Sequence, residues 1–463
     1  MDFVNRTSEL AALEHWWASG QRLALVYGRR RVGKTALLSR FSDGKATVFH
    51  TGARRGERGE LQMLSNAVAL VAGGRGRRDL AARPYVDWDD ALEDLDARAE
   101  AVPLLLVLDE YPELAHSTPH LPAILRAFSD RVGGTPHVRI VLCGSAVRSM
   151  EALQAEREPL FGRFDLALLV HPFSPHEAAL MLDDMTAPDR AVAYGLVGGM
   201  PLYLSWWDHG CSIAHNIEAL YCTPGGRLLT EADLVLRTEV DTGALAETVL
   251  RGIAAGRTTH GELKGLLHTE PTRTLDRLIE LRLVERAEPA GSRRSRRPFY
   301  RITDPMLSFY LRVVDPHRTE IERGLGSQIA QVVTAGADDH MGPVYEEAFR
   351  RHLRYLAQHG ALPVPSPVVE IGDWWDRTSQ NEIDAVVLAG RDRRPVMVGE
   401  SKWARTADAG RLVATLRRKV ADGLGVDPDS VSYAVCAREQ LTSIPNDSVL
   451  AYTAVDLFDP LGN

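Results

Sequence analysis

Two segments near opposite ends of the 463-residue chain hold residues whose types and spacing can do chemistry. The first is "GRRRVGKT", residues 28–35, which fits the phosphate-loop pattern G-x-x-x-x-G-K-[ST]. Gly28 and Gly33 let the backbone wrap a phosphate with its N–H groups turned inward. Lys34 reaches the β- and γ-phosphates, and Thr35 offers a hydroxyl to Mg²⁺. The binding surface runs through Gly28, Arg29, Arg30, Arg31, Val32, Gly33, Lys34, Thr35 and Ala36. A second acidic element, "LLLVLDE" (104–110), ends in Asp109, placed to hold the magnesium water shell. Glu110 beside it can orient or deprotonate an attacking water, which favours hydrolysis over binding alone. Ser145, at the end of "VRIVLCGS", is either a γ-phosphate sensor or a strand-end turn serine. Arg163 in "PLFGRFDLALLV" can offset transition-state charge, with Arg148 and Arg157 as competitors and a plain surface arginine as the bland reading.

The other segment is "NEIDAVVLAGRDRRPVMVGESKW", 381–403. If 382–389 and 395–402 pair as a hairpin about Asp392, Asp384 lies opposite Glu400. Opposed residues have Cβ atoms about 4.5–5.5 Å apart, so two carboxylates there repel unless something neutralises them. A divalent cation, Mg²⁺ or Mn²⁺, would do so through oxygen ligands. Lys402 falls on the same face and could activate a water or steady a phosphate. This order of acid, acid and lysine resembles the core of the PD-(D/E)XK nuclease fold, and the resemblance implies a third acid on a preceding helix, Glu346 with Glu347 as the alternate.

These groups need scaffolds to hold them. Residues 1–175 alternate apolar runs with amphipathic stretches, the pattern of an α/β parallel sheet. Strands are expected at 22–28, 46–52, 104–110, 138–145 and 165–171, with 53–100 mostly helical. A helical lid is expected over 176–240 and a linker, read as a looser stretch, over 305–342. A second α/β domain should fill 343–463, with a helix at 343–358, strands near 367–371, 382–389 and 395–402, a helix at 406–420 and a strand at 431–437.

Residues 241–304 have the rhythm of a winged helix-turn-helix, three short helices and a two-stranded wing. Arg273 and Arg277 lie on the expected recognition helix, and Arg293, Arg294, Arg296 and Arg297 on the wing tip. That local charge suits DNA phosphates, although such a module can also serve only to close a lid.

Composition limits the alternatives. Net charge is −8, so any nucleic-acid contact must come from a local patch. The four cysteines are scattered with no CxxC pair, which argues against a disulfide framework or zinc site. No apolar run reaches membrane-spanning length and "MDFVNRTSEL" is no signal peptide, so a reducing, cytoplasmic location is expected.

In order and spacing, "FVNRTSELAAL", "GRRRVGKT", "LVLDEYPEL", "CGSAVRSM", "PLFGRFDLALL" and "GGMPLYL" resemble the archaeal-type ATPases of the STAND branch of the AAA+ class. The resemblance implies that Phe3, Arg6 and Glu9 pack near the adenine and that Gly199 and Pro201 form a GxP element of the lid. "EIDAVV" and "GESKW" resemble the core motifs of the PD-(D/E)XK nuclease fold, a domain this family carries at its C-terminus. The expectation is an ATP- and Mg²⁺-dependent switch with a nuclease-like output domain. The rivals are a regulatory or DNA-binding protein whose C-terminal domain only docks, and a ring-forming motor whose oligomer supplies an arginine.

Overall fold

The computed structural model describes residues 3–71, 78–131, 137–238, 244–292, 298–376, 378 and 380–459. The chain divides into two compact units, Met1–Pro172 and Phe173–Asn463.

The first unit is built on five strands: β1 Leu23–Tyr27, β2 Ala46–Thr51, β3 Leu104–Asp109, β4 Val138–Gly144 and β5 Leu166–Leu169. All four pairings are parallel and the order is β2-β3-β4-β1-β5. The three central strands are buried at every position. Their continuous apolar runs are what a parallel sheet covered on both faces requires. Two helices frame the chemistry, α1 (Thr7–Ala18) and α2 (Lys34–Phe41). A core of leucines closes around Trp88, Leu92, Leu95 and Phe128. Because β1, β3 and β4 are neighbours, their carboxyl ends converge, the edge at which open α/β sheets bind ligands.

In the second unit, helix α3 (Ala187–Val197) lies in the segment expected to form a lid. Helices α4 (Ala244–Ala254), α5 (His260–Leu267) and α6 (Thr272–Glu280) follow. They lead into an antiparallel ribbon of β6 (Val284–Ala287) and β7 (Phe299–Ile302). Thr259 and Glu262 start α5 with a reciprocal capping box.

The stretch read as a loose linker is helical, which corrects that expectation. Short turns from Pro305 onward run into α7, Gly326–Gln358, a single 33-residue helix. The misreading came from "AGADDHMGP", where Gly, Asp and Pro suggest a break. Ala330, Val333, Ala337, His340, Met341, Tyr345, Ala348 and Phe349 are all buried, so one stripe at helical spacing overrides local propensity. Pro343 sits inside the helix, where it removes one N–H donor.

A mixed sheet closes the unit: β8 Val368–Trp375, β9 Glu382–Ala389, β10 Arg394–Lys402, β12 Ser432–Ala437 and β14 Val449–Thr453, ordered β14-β12-β10-β9-β8. Strands β11 (Thr406–Asp408) and β13 (Gln440–Thr442) form a separate pair. Helix α8 (Ala409–Lys419), capped by Asp408, buries Val413 and Leu416 against Val386, Val398 and Val435.

Candidate functional site

β1 delivers the chain into the phosphate loop. A Cβ on Gly28 would stand 2.4 Å from the Val170 carbonyl oxygen, so only glycine fits there. Gly33 has φ 94°, a left-handed turn that lets α2 begin at Lys34. No side-chain hydrogen bond caps α2, the arrangement in which a helix N-terminus can receive an anion. Lys34 is buried, and its Nζ donates to the carbonyls of Gly28 (2.8 Å) and Arg29 (3.0 Å). Arg29 is buried, Arg31 half-buried, and Arg30, Thr35 and Ala36 are exposed.

The acidic residues join this loop through one chain of hydrogen bonds. Thr35 Oγ1 donates to Asp109 Oδ2 at 3.0 Å. Asp109 Oδ1 accepts from the Glu110 N–H at 2.9 Å. Ser145 Oγ donates to Glu110 Oε2 at 3.0 Å. Glu110 has φ 47°, a conformation costly for a non-glycine residue and concentrated at functional sites. Thr35 and Asp109 form an oxygen-only pair suited to Mg²⁺. Sequence reading missed Cys143, whose thiol burial and the Asp109 charge push well above its ordinary pKa. It passes for an ordinary buried strand residue.

Arg6 is buried with φ 65° and donates from Nη2 to the Val32 carbonyl at 2.8 Å and from Nη1 to Glu9 at 2.8 Å. It braces the phosphate loop. Burial raises the Glu9 pKa, but hydrogen bonds from Ser8 and Arg6 outweigh this and lower it. Phe3 is half-buried. Arg148, Arg157 and Arg163 are all exposed, and Arg163 Nε donates to Asp130 at 2.8 Å. Within the second unit, Pro201 starts a short helix, Pro201–Leu204, and the Gly199 carbonyl accepts from the Phe173 N–H at 2.7 Å.

In the C-terminal sheet, β9 and β10 pair antiparallel as far as Ala385 opposite Gly399. Asp384 and Glu400 are the next residues along the two strands past that pair, close enough for the Glu400 charge to act on Asp384. Asp384 Oδ2 accepts from the Ser401 N–H at 2.8 Å, and its main-chain carbonyl accepts from Arg350 Nη1 at 2.7 Å. Burial, then the Glu400 charge, pushes the Asp384 carboxyl up to about 6. Burial, then the Asp384 charge, pushes Glu346 up to about 7. Glu347 is different: despite its burial, Arg350, Arg351 and Arg354 hold it down to about 2. The structure thus separates the two glutamates. Glu346 faces the acids, and Glu347 is the hub of an arginine cluster.

Glu400 is 6 % exposed and both of its oxygens are taken. Lys402 Nζ lies 2.8 Å from Oε1 and Lys419 Nζ 2.9 Å from Oε2. Burial opposes the charge of Lys402, but Asp384 and Glu400 outweigh it and raise its pKa. Lys419 was missed. It stands in the last turn of α8 after Arg417 and Arg418, where a basic run reads as a helix C-terminus. Glu346, Asp384 and Glu400 do not form a group with ligand atoms within 4.8 Å of one another. Among the described residues the group that does is Asp183, Asp184 and His209.

Arg273 is exposed on α6, and Arg277 is half-buried, 3.9 Å from Glu280. Arg293, Arg294, Arg296 and Arg297 lie outside the described residues. No helix among the described residues is long and apolar enough to cross a membrane.

Residues 3–206 match a family described as an ATPase domain predominantly from Archaea. Residues 310–413 match a family of archaeal and bacterial proteins of unknown function. An uncharacterized protein of Methanocaldococcus jannaschii is 25% identical over 468 residues, covering 98% of this chain and 99% of that one. An uncharacterized ATP-binding protein of the same organism is 50% identical over 52 residues, which cover 10% of this chain and 88% of that one. The fold is similar to that of a Walker-type ATPase of Pyrococcus abyssi, with TM-score 0.54 and 20% identity over 67% of this chain and 97% of that one. The chain carries an ATPase domain of this predominantly archaeal family.

Proposed function

We propose that the chain is a magnesium-dependent ATP hydrolase of the STAND switch type whose second unit carries a metal-dependent, phosphodiester-cleaving site. The observation that carries the first half is the continuous relay Thr35–Asp109–Glu110–Ser145 beside an intact phosphate loop. Thr35 and Asp109 would hold the cation, which supplies charge neutralisation at the phosphates when bound. Lys34 would exchange the carbonyls of Gly28 and Arg29 for phosphate oxygens. Glu110, oriented by Ser145, would accept the proton of the attacking water. Lys34→Ala should abolish phosphate release from ATP, and retained turnover would sink the reading.

The second half rests on the placement of Asp384, held by the Ser401 N–H, beside Glu400 and its partner Lys402, with burial and neighbouring acids raising the Asp384 and Glu346 carboxyls. Their oxygen donors, with Glu400, are of the kind Mg²⁺ or Mn²⁺ takes, and would have to draw together and release a lysine to share one ion. Lys402 would steady the scissile phosphate. The three helices and ribbon are read as a winged helix touching DNA through Arg273 and Arg277. The four buried or partly buried free cysteines suit a reducing cytoplasm. A specific observation favours a second reading, in which the C-terminal sheet docks without cutting: both Glu400 oxygens are already neutralised by lysines. Mn²⁺-dependent DNA cleavage that disappears in Asp384→Ala and Lys402→Ala selects the nuclease, and Mn²⁺ calorimetry with no heat selects docking.

A further inference from the structure

The ribbon β6–β7 is docked on the C-terminal sheet. Just past β6, the Ala290 N–H donates to the Asp373 carbonyl of β8 at 2.8 Å. Arg301 of β7 forms an ion pair with the Asp373 carboxylate. The Phe299 ring lies 4.7 Å from that of Trp375. Ala290 is 8 % exposed and belongs to the apolar core that includes Ile383, Val386 and Leu416. Since β8 is an edge strand with open backbone groups, Ala290 satisfies one of them.

The place of docking is chemically significant. The ladder pairs Gly372 with Val386 and Trp374 with Ile383, so the single β8 residue between them, Asp373, opposes two on β9, Ala385 and Asp384. The bulge therefore sits at the candidate acid, a position where bulges re-aim side chains beside functional sites. The ribbon's anchor is the residue across from it. Glu346 in turn opens into a cavity of about 490 Å³ between the ribbon and α7. Glu346, Glu347 and Arg350 form part of one wall, and Glu285, Tyr300 and Arg301 part of the facing one. Cavities of roughly 300–1,000 Å³ hold small molecules. A duplex whose major groove alone is about 12 Å wide does not fit.

From this we infer that the ribbon is a gate. Docked on Asp373, it closes the Glu346 side of the carboxylate site to duplex DNA while leaving room for a small ligand. Undocking opens that side and frees the ribbon edge together. The inference rests on reading the carboxylate cluster as a phosphodiester site.

A reversible lock tests it. A Cβ on Gly372 would lie 3.6 Å from the Ala290 Cβ, within the roughly 3.5–4.5 Å range of disulfides. Ala290→Cys with Gly372→Cys would be made in a Cys211→Ser background, since the other three native cysteines are buried. Mn²⁺ alone is followed by calorimetry, and a fluorescein-labelled DNA duplex with Mn²⁺ by anisotropy. The oxidised protein should keep Mn²⁺ binding and bind the duplex more weakly, through the exposed α6 arginine alone, and reduction should restore the rest. Arg301→Ala, which weakens docking without a crosslink, should bind the duplex more tightly than the parent protein. Equal duplex signals in the two redox states, including none in either, overturn the gate. A redox-dependent duplex signal without Asp384-dependent Mn²⁺ binding keeps the gate and defeats the metal-site reading beneath it.

Discussion

Glu110 and Glu400 mark the two kinds of acid in this molecule. Glu110 joins the phosphate loop through Asp109 and Thr35, and its carboxylate accepts from a neutral hydroxyl, that of Ser145, the arrangement proposed for the base. A hydrogen bond to a charged group is worth about 1.5–3 kcal/mol, so Ser145→Ala should lower kcat for ATP by roughly tenfold or more with KM little changed. Glu400 is held by two ammonium groups. A cation must compete with them, so Lys419→Met should tighten Mn²⁺ binding measured by calorimetry; weaker or unchanged binding would place the cation elsewhere. Much of the first site is legible in sequence because a phosphate loop is local: loop, strand and helix occupy adjacent residues. The opposition of Asp384 and Glu400 follows from hairpin arithmetic for the same reason. Lys419 is not legible, because its approach to Glu400 depends on how α8 crosses the sheet.

At the scale of elements, packing decided what local signals obscured. The phosphate-loop strand and both acidic strands read directly as apolar runs. α7 did not, because its Gly, Asp and Pro content masks a buried stripe that runs through residues 330–353. The edge strand β8 extends beyond its expected end at 371 to Trp375, and it is this added length that receives the ribbon. α8 positions Lys419 by burying Leu416. Leu416→Ala should destabilise the second unit by about 2–5 kcal/mol in urea unfolding, the usual cost of a large-to-small core change. It should also loosen the Lys419–Glu400 pair. Unchanged stability would mean that α8 is not anchored by this residue.

Across the whole molecule, acid sensitivity should come from buried neutral histidines. Burial lowers the pKa of His340, which hydrogen-bonds the Gly195 carbonyl, to about 4. Burial and the neighbouring His176 lower His352 to about 4 as well. Both are depressed from about 6.5, so the unfolded chain takes up protons first. Their stabilising contribution is complete above about pH 6.5 and is lost as pH falls toward 4. Glu346 and Asp384, raised to about 7 and about 6, gain stability over the same interval and oppose this loss, so the histidine contribution is read as a difference between proteins. From pH 6.5 to 4 the thermal midpoint of the second unit should change more favourably in His340→Gln than in the parent protein, and parallel pH profiles for the two would contradict the burial of a neutral imidazole at His340.

The central claim is hydrolysis of ATP at the phosphate loop with Glu110 as base. The direct measurement is phosphate release from Mg–ATP by the parent protein and by Glu110→Gln, with ATP binding followed in parallel. Loss of a general base costs about 10²–10⁴-fold, so Glu110→Gln should bind ATP normally and turn it over at least a hundredfold more slowly. Parent-like turnover in Glu110→Gln, or no turnover in the parent protein, would contradict the account.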